Sequence, residues 1–170
     1  MVLGNLFKKN KNPMLIVVNS IASINPLELR IVRFKDKTQK NPKIRYWLVF
    51  KVEDEAYCVL NTVTSQLDYI ARRYRNDDIG ANSVVIINKN EFNPPFYKDA
   101  SYVDCNIKSV NIKTFKTLAD KVIDWEDGGL ESVHEKIPND LEQRIIKAII
   151  NSKFTPLHIK EAFENIAKGE

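Results

Sequence analysis

Apolar positions along the chain fall into two regimes. Between Leu29 and Ile112 they come mostly in short runs of strand length, and from Leu141 onward they recur at helical spacing. The clearest short runs are Tyr46 to Val52 and Ala56 to Val63, rich in β-branched and aromatic residues and separated by Glu53, Asp54 and Glu55. Two such runs joined by a short polar break predict a buried antiparallel hairpin. Leu29 to Phe34 alternates apolar with basic residues, which predicts a half-exposed strand with Arg30 and Arg33 on its outer face. Ser83 to Asn88 reads as a buried strand. Ser101 to Ile107 reads as another with alternating faces, and Val110 to Ile112 as its extension or the next strand. Leu15 to Ile21 is too short to divide between a strand and a buried turn of helix.

Three later stretches carry helical patterns. Lys113 to Trp125 reads as a helix or helix–loop segment with Phe115, Leu118, Val122 and Ile123 as core positions. Asn139 or Asp140 is placed to cap a helix running to about Asn151, whose apolar face is Leu141, Ile145, Ala148 and Ile149. Thr155-Pro156 opens the last helix, with Thr as N-cap and Pro at the first helical position. Its inward stripe is Ile159, Ala162, Phe163 and Ile166. No repeat or low-complexity segment interrupts this order.

Composition narrows the class. A length of 170 residues with 44% hydrophobic and 28% charged content fits one ordinary soluble domain with a real core. Five glycines leave no glycine-rich phosphate loop. The net charge of +4 leans towards an anionic partner, weakly, because the acids are spread among the bases. Cys58 and Cys105 both lie in strand-like apolar runs. Buried thiols in a reducing compartment are the simplest reading, and a disulfide stays open. His134 and His158 are too few and too far apart for a zinc site. Lys8, Lys9 and Lys11 precede a short apolar run, Met14 to Val18, which falls far short of a membrane span or a signal peptide. Cytoplasmic residence, with no membrane partner, is therefore the expectation.

The candidate chemistry clusters at one end of the expected hairpin. Arg45 precedes its first strand, and Thr64, Ser65 and Gln66 close its second. An antiparallel pair brings those ends side by side. A guanidinium beside a hydroxyl suits a phosphate, because Arg presents a planar fork of donors. An ordinary strand end often carries an Arg and a Thr, and geometry alone favours that reading. The loop from Lys35 to Lys43, with Lys37, Lys40 and Lys43, leads straight into Arg45. After the hairpin, Arg72, Arg73 and Arg75 interleave with Tyr69 and Tyr74. That mixture suits single-stranded nucleic acid, where bases stack on rings and phosphates pair with arginine. It suits equally an amphipathic segment with Tyr69 and Ile70 packed inward and the arginines in water.

The order of these features resembles the MazF/PemK-like (Kid-like) toxin family from about Leu29 to Ile150. The match rests on LRIVRF and the basic loop, on Arg45 followed by YWLVF, on Val63-Thr64-Ser65-Gln66-Leu67, and on SYVDCNIKSVNIKTF. The chain departs from the family at Tyr46, where a proline is usual, at Pro26-Leu27-Glu28, where the family has glycine-aspartate, and in its extra segments at both ends. The resemblance implies an α+β, mainly β fold, an SH3-like small β-barrel with C-terminal helices. Residues 1–27 would form an extension, 28–150 the barrel domain, and 151–170 an added helix packed on it. It implies a metal-independent endoribonuclease that cuts single-stranded RNA and needs no cofactor. Arg45 and Thr64 would be the catalytic pair, with Ser65 and Gln66 beside them on the RNA. The basic loop and the Arg72-to-Arg75 segment would flank the groove. The implied partners are single-stranded RNA, an antitoxin protein and a second copy in a homodimer. The rival reading is a non-catalytic barrel that binds nucleic acid or a protein.

Overall fold

A computed structural model describes residues 25–35, 40–41, 44–52, 57–64, 66–88, 91, 100–108, 112–114 and 137–168. Six strands and four helices are defined among them. They run in the order β1 (Arg30–Lys35), β2 (Ile44–Lys51), β3 (Tyr57–Thr64), α1 (Leu67–Arg73), α2 (Asp78–Ala81), β4 (Val84–Asn88), β5 (Ala100–Asp104), β6 (Ile112–Thr114), α3 (Asn139–Asn151) and α4 (Leu157–Lys168). Leu15 to Ile21 lies outside the described residues; of the helix expected at Lys113 to Trp125, Lys113 and Thr114 belong to β6 instead and the rest lies outside them. So does the Glu53–Glu55 turn.

The strands form one antiparallel sheet in the order β1-β2-β3-β5-β4, with β6 also pairing β3. The hairpin expected from the two apolar runs is present, in a register that sets Val49 opposite Leu60 and Tyr46 opposite Val63. The sheet consists of two well-paired parts, β1-β2-β3 and β4-β5. Among the described residues only two pairs, Val63↔Val103 and Thr64↔Tyr102, join them.

This architecture corrects the expected SH3-like barrel. Among the described residues the path ends at β1 and β4, which do not pair, so this sheet is open. Nor are the described residues mainly β, because helices and strands hold about equal numbers of them. A barrel would need the outer edge of β4 to meet another strand. Side chains occupy that edge instead. Arg144 of α3 donates to the Ile86 carbonyl and pairs with Glu91. Glu91 in turn accepts from the Asn88 N–H at 2.9 Å. Charged groups on an edge strand block further strand addition.

The core lies between the sheet and the two C-terminal helices. Leu29, Ile31, Leu48, Phe50, Val85, Ile87 and Val103 meet Leu141, Ile145, Ile149, Ile159 and Phe163 in one buried cluster. Helix α3 forms because its apolar residues recur at i, i+4, i+7 and i+8, while Asp140 and Glu142 in its first turn suit the positive end of the helix dipole. Its N-cap position is Pro138, one residue before the expected cap, and Pro138 provides no side-chain bond. Phe163 of α4 meets Phe50 of β2 edge to face, with centroids 5.2 Å apart. That geometry favours the ring quadrupoles.

Candidate nucleic-acid interface

The β2–β3 register locates the first candidate pair. The register runs to Tyr46↔Val63, and Arg45 and Thr64 are the next residue on each strand, so both lie at the same end of the β2–β3 pair. Arg45 faces Phe34 of β1, and Thr64 faces Tyr102 of β5. Both residues thus sit within the sheet, at the end where its two parts join. Gln66 follows at the N-cap position of α1, where it is exposed and its carbonyl accepts from the Tyr69 N–H at 3.1 Å. Ser65, Lys37 and Lys43 lie outside the described residues, and Lys40 is exposed.

Helix α1 divides the second set of candidates. Arg72 and Arg75 are exposed, and Arg72 Nε donates to the Asp68 carbonyl at 3.2 Å. Tyr74 is turned into the protein, only 6% exposed, so its ring is not offered for base stacking. Arg73 reaches back over the segment. Its guanidinium bonds the Tyr69 hydroxyl at 2.9 Å and lies 3.2 Å from the Asp104 carboxylate. All three arginines are exposed, but the Arg73 guanidinium is tied to Tyr69 and Asp104, which leaves Arg72 and Arg75 to present charge to solvent. Tyr69 is half-buried, with the Arg73 guanidinium 6.0 Å from its ring centre.

Asp104 is the centre of a polar cluster that the hydropathy pattern does not reveal. It is fully buried at the end of β5. The Tyr74 hydroxyl lies 2.8 Å from both carboxylate oxygens. Asn106 completes the cluster. Its amide donates to the Tyr74 oxygen at 2.9 Å, the Gly80 carbonyl at 2.8 Å and Asp104 at 2.9 Å, and its side-chain oxygen accepts from Ser152 at 2.8 Å. Buried polar groups need such partners, since each left unpaired costs about 1–3 kcal/mol. Gly80 is required here. A Cβ at that position would come within 2.5 Å of the Tyr74 ring. One sequence signal does point to the cluster. Asp104 and Asn106 share one face of an otherwise apolar run, and a buried carboxylate and amide two residues apart must find partners elsewhere in the chain.

The surroundings set the ionisation of these groups. Burial raises the Tyr74 phenol, and the Asp104 charge raises it further, so it remains protonated. Burial works against the Arg73 charge, but Tyr74 and Asp104 outweigh it and hold the guanidinium above its usual value. Burial likewise pushes up the Cys105 thiol, which makes it inert as a nucleophile. Asp77 caps α2 by accepting from the Gly80 N–H at 3.0 Å and pairs with Lys153 at 2.7 Å. The Lys153 bond, then the Gly80 bond, lower its carboxyl below the usual range.

No family model, no curated protein and no solved structure matches the chain. The reading of the site therefore rests on its own chemistry. Among the described residues, no group of three or more His, Cys, Asp or Glu is arranged to hold a metal, and no helix is long and apolar enough to cross a membrane.

Proposed function

We propose that the chain is a toxin-like endoribonuclease that cuts single-stranded RNA without a metal, in the cytoplasm, under the control of an antitoxin protein. The observation that carries this reading is that Arg45 and Thr64 each lie one step beyond the Tyr46↔Val63 pair, at the same end of the β2–β3 pair, with Thr64 three positions before a helix that presents Arg72 to solvent and Arg75 exposed just after it. In the proposed reaction the RNA 2′-hydroxyl attacks its neighbouring phosphorus. A bond forms from O2′ to phosphorus and the bond to the departing 5′-oxygen breaks, while solvent water takes the 2′-hydroxyl proton and returns one to the 5′-oxygen. Arg45 offsets the charge that builds on the phosphorane, and Thr64 donates to a phosphate oxygen and orients it. Arg72, Arg75 and Lys40 hold flanking phosphates, and Tyr69 offers its ring edge to a base. No residue is assigned as general base, because arginine stays protonated, with a pKa above about 12.

Binding without cleavage is the second reading. The open sheet and Tyr46 in place of proline favour it, since both depart from the pattern of the family that the chain resembles. The two readings separate in one assay. A long single-stranded RNA is incubated with protein in excess EDTA, wild type beside Arg45→Ala and Thr64→Ala. Cleavage lost in both variants supports the ribonuclease. Cleavage that survives both removes these residues from the site, and RNA bound but uncut supports the binding module.

A further inference from the structure

Away from the arginines, a cleft of about 400 Å³ opens between the segment before β1 and the two C-terminal helices. Leu27, Ile146, Phe163 and Ile166 give it an apolar floor, and Glu28 and Glu142 stand on its walls. The volume is within the range of about 300–1,000 Å³ typical of ligand sites.

Three features mark the cleft as built for a ligand. The first is strain in its wall. Leu27 has φ 61°, in the left-handed region. Such a conformation in a non-glycine residue costs about 1–3 kcal/mol, and strain of this kind clusters at binding sites. Local bonds hold it there: the Leu27 N–H donates to the Lys51 carbonyl at 2.9 Å, and Asn25 bonds the Glu28 carboxylate at 3.0 Å. The second is Ile166. Ile159 and Phe163 on the same helix are buried, yet Ile166 remains 52% exposed beside the opening. The third is an imbalance between the two acids. Glu28 is paired with Arg30. Glu142 is half-buried, and its carboxylate has no ion-pair or hydrogen-bond partner among the described residues.

An apolar floor beside a carboxylate with no side-chain partner among the described residues selects an apolar body that carries a cation. It disfavours an anion, so this is not a second RNA surface. We propose that the cleft docks a short segment of a partner protein that presents an aliphatic or aromatic side chain next to a lysine or arginine. The apolar side chain covers Ile166 and Ile146, and the cation pairs with Glu142. Lysine and arginine suit this role because their stems pack on apolar surface while the charge reaches a partner. The proposal goes beyond the ribonuclease reading and stands without it.

The test is fluorescence anisotropy on the full chain, with a labelled short peptide containing Leu-Lys-Phe-Lys and a control in which both lysines are glutamate. Saturable binding of the basic peptide alone is expected. Glu142→Gln and Ile166→Glu should each weaken it about tenfold, equivalent to about 1.4 kcal/mol, with RNA affinity unchanged and both variants still folding cooperatively. Absence of saturation, equal binding of the control, or wild-type affinity in both variants would overturn it. A dimer in sedimentation that Ile166→Glu dissociates would also overturn it, because a second copy would then fill the cleft.

Discussion

Helix α1 and the α3–α4 hairpin are fastened to the same sheet by different forces. The hairpin is held by apolar burial: Leu141, Ile145, Ile149, Ile159 and Phe163 interlock with the strands, away from water. Helix α1 has seven residues and one buried side chain, Ile70. So little apolar area cannot hold a helix. Its anchor is polar, through Tyr74 and Arg73 to Asp104, with Asn106 and Ser152 linking the same cluster to the turn after α3. Burial is non-directional and tolerates sliding, whereas a hydrogen-bonded cluster sets orientation. The difference suits the proposed work of each region. The segment that must aim charge at RNA is fixed by a few directed bonds, which leave Arg72 and Arg75 to face outward.

That contrast can be broken. Asp104→Ala leaves Tyr74, Asn106 and the Arg73 charge without their shared partner. It should cost about 3–5 kcal/mol, as losing one member of a buried pair does. Phe163→Ala should cost a similar 3–5 kcal/mol by opening a cavity. Hydrogen exchange tells them apart. The first should release protection in α1 and α2 before the hairpin, and the second the reverse. Uniform loss in both variants would refute two separate modes of attachment.

Smaller changes sharpen it. Gly80→Ala drives a methyl against the Tyr74 ring and should cost about 1–3 kcal/mol in denaturant unfolding. Arg72→Ala with Arg75→Ala should change stability by no more than about 0.5 kcal/mol, as exposed positions do. The same double substitution should flatten the salt dependence of RNA binding, lowering its log–log slope by about 0.7 for each phosphate no longer neutralised. An unchanged salt slope would take α1 out of the interface. The smallest effect is on pH. The Asp77 carboxyl is held below its usual value of 3.8 by Lys153 and Gly80, so its contribution is present above that value and fades as pH falls through the lower folded value. Asp77→Asn should therefore reduce stability at neutral pH and narrow its gap to wild type as acid is added.

Much of this architecture can be read from residue spacing alone. The i, i+4, i+7, i+8 stripe locates α3, because a helix face is a local property of the chain. The hairpin follows from two β-rich runs for the same reason, and its register puts Arg45 and Thr64 at the same end of the strand pair. Closure is not legible. Whether β4 meets another strand depends on Arg144, far along the chain, and no local pattern encodes that bond. Nor can spacing tell Arg73 from its neighbours. Which arginine is tied down is decided by Asp104, whose bond to Tyr74 spans 30 positions. Helical spacing points Ile166 inward with Ile159 and Phe163. It lies instead at the mouth of the cleft, where α4 leaves the core.

The Arg144–Glu91 clamp on β4 also bears on how the protein is made. Ile86 and the arginine that covers its carbonyl are 58 residues apart, and the arginine comes later. At a synthesis rate of about 5–20 residues per second, the strand leaves the ribosome roughly 3–12 s before its guard. Over that interval a nascent chain carries an uncovered apolar edge, open to pairing with the same strand on a neighbouring ribosome. Protection comes only when α3 docks, so the helix that completes the core also ends the period in which crowded synthesis favours aggregation.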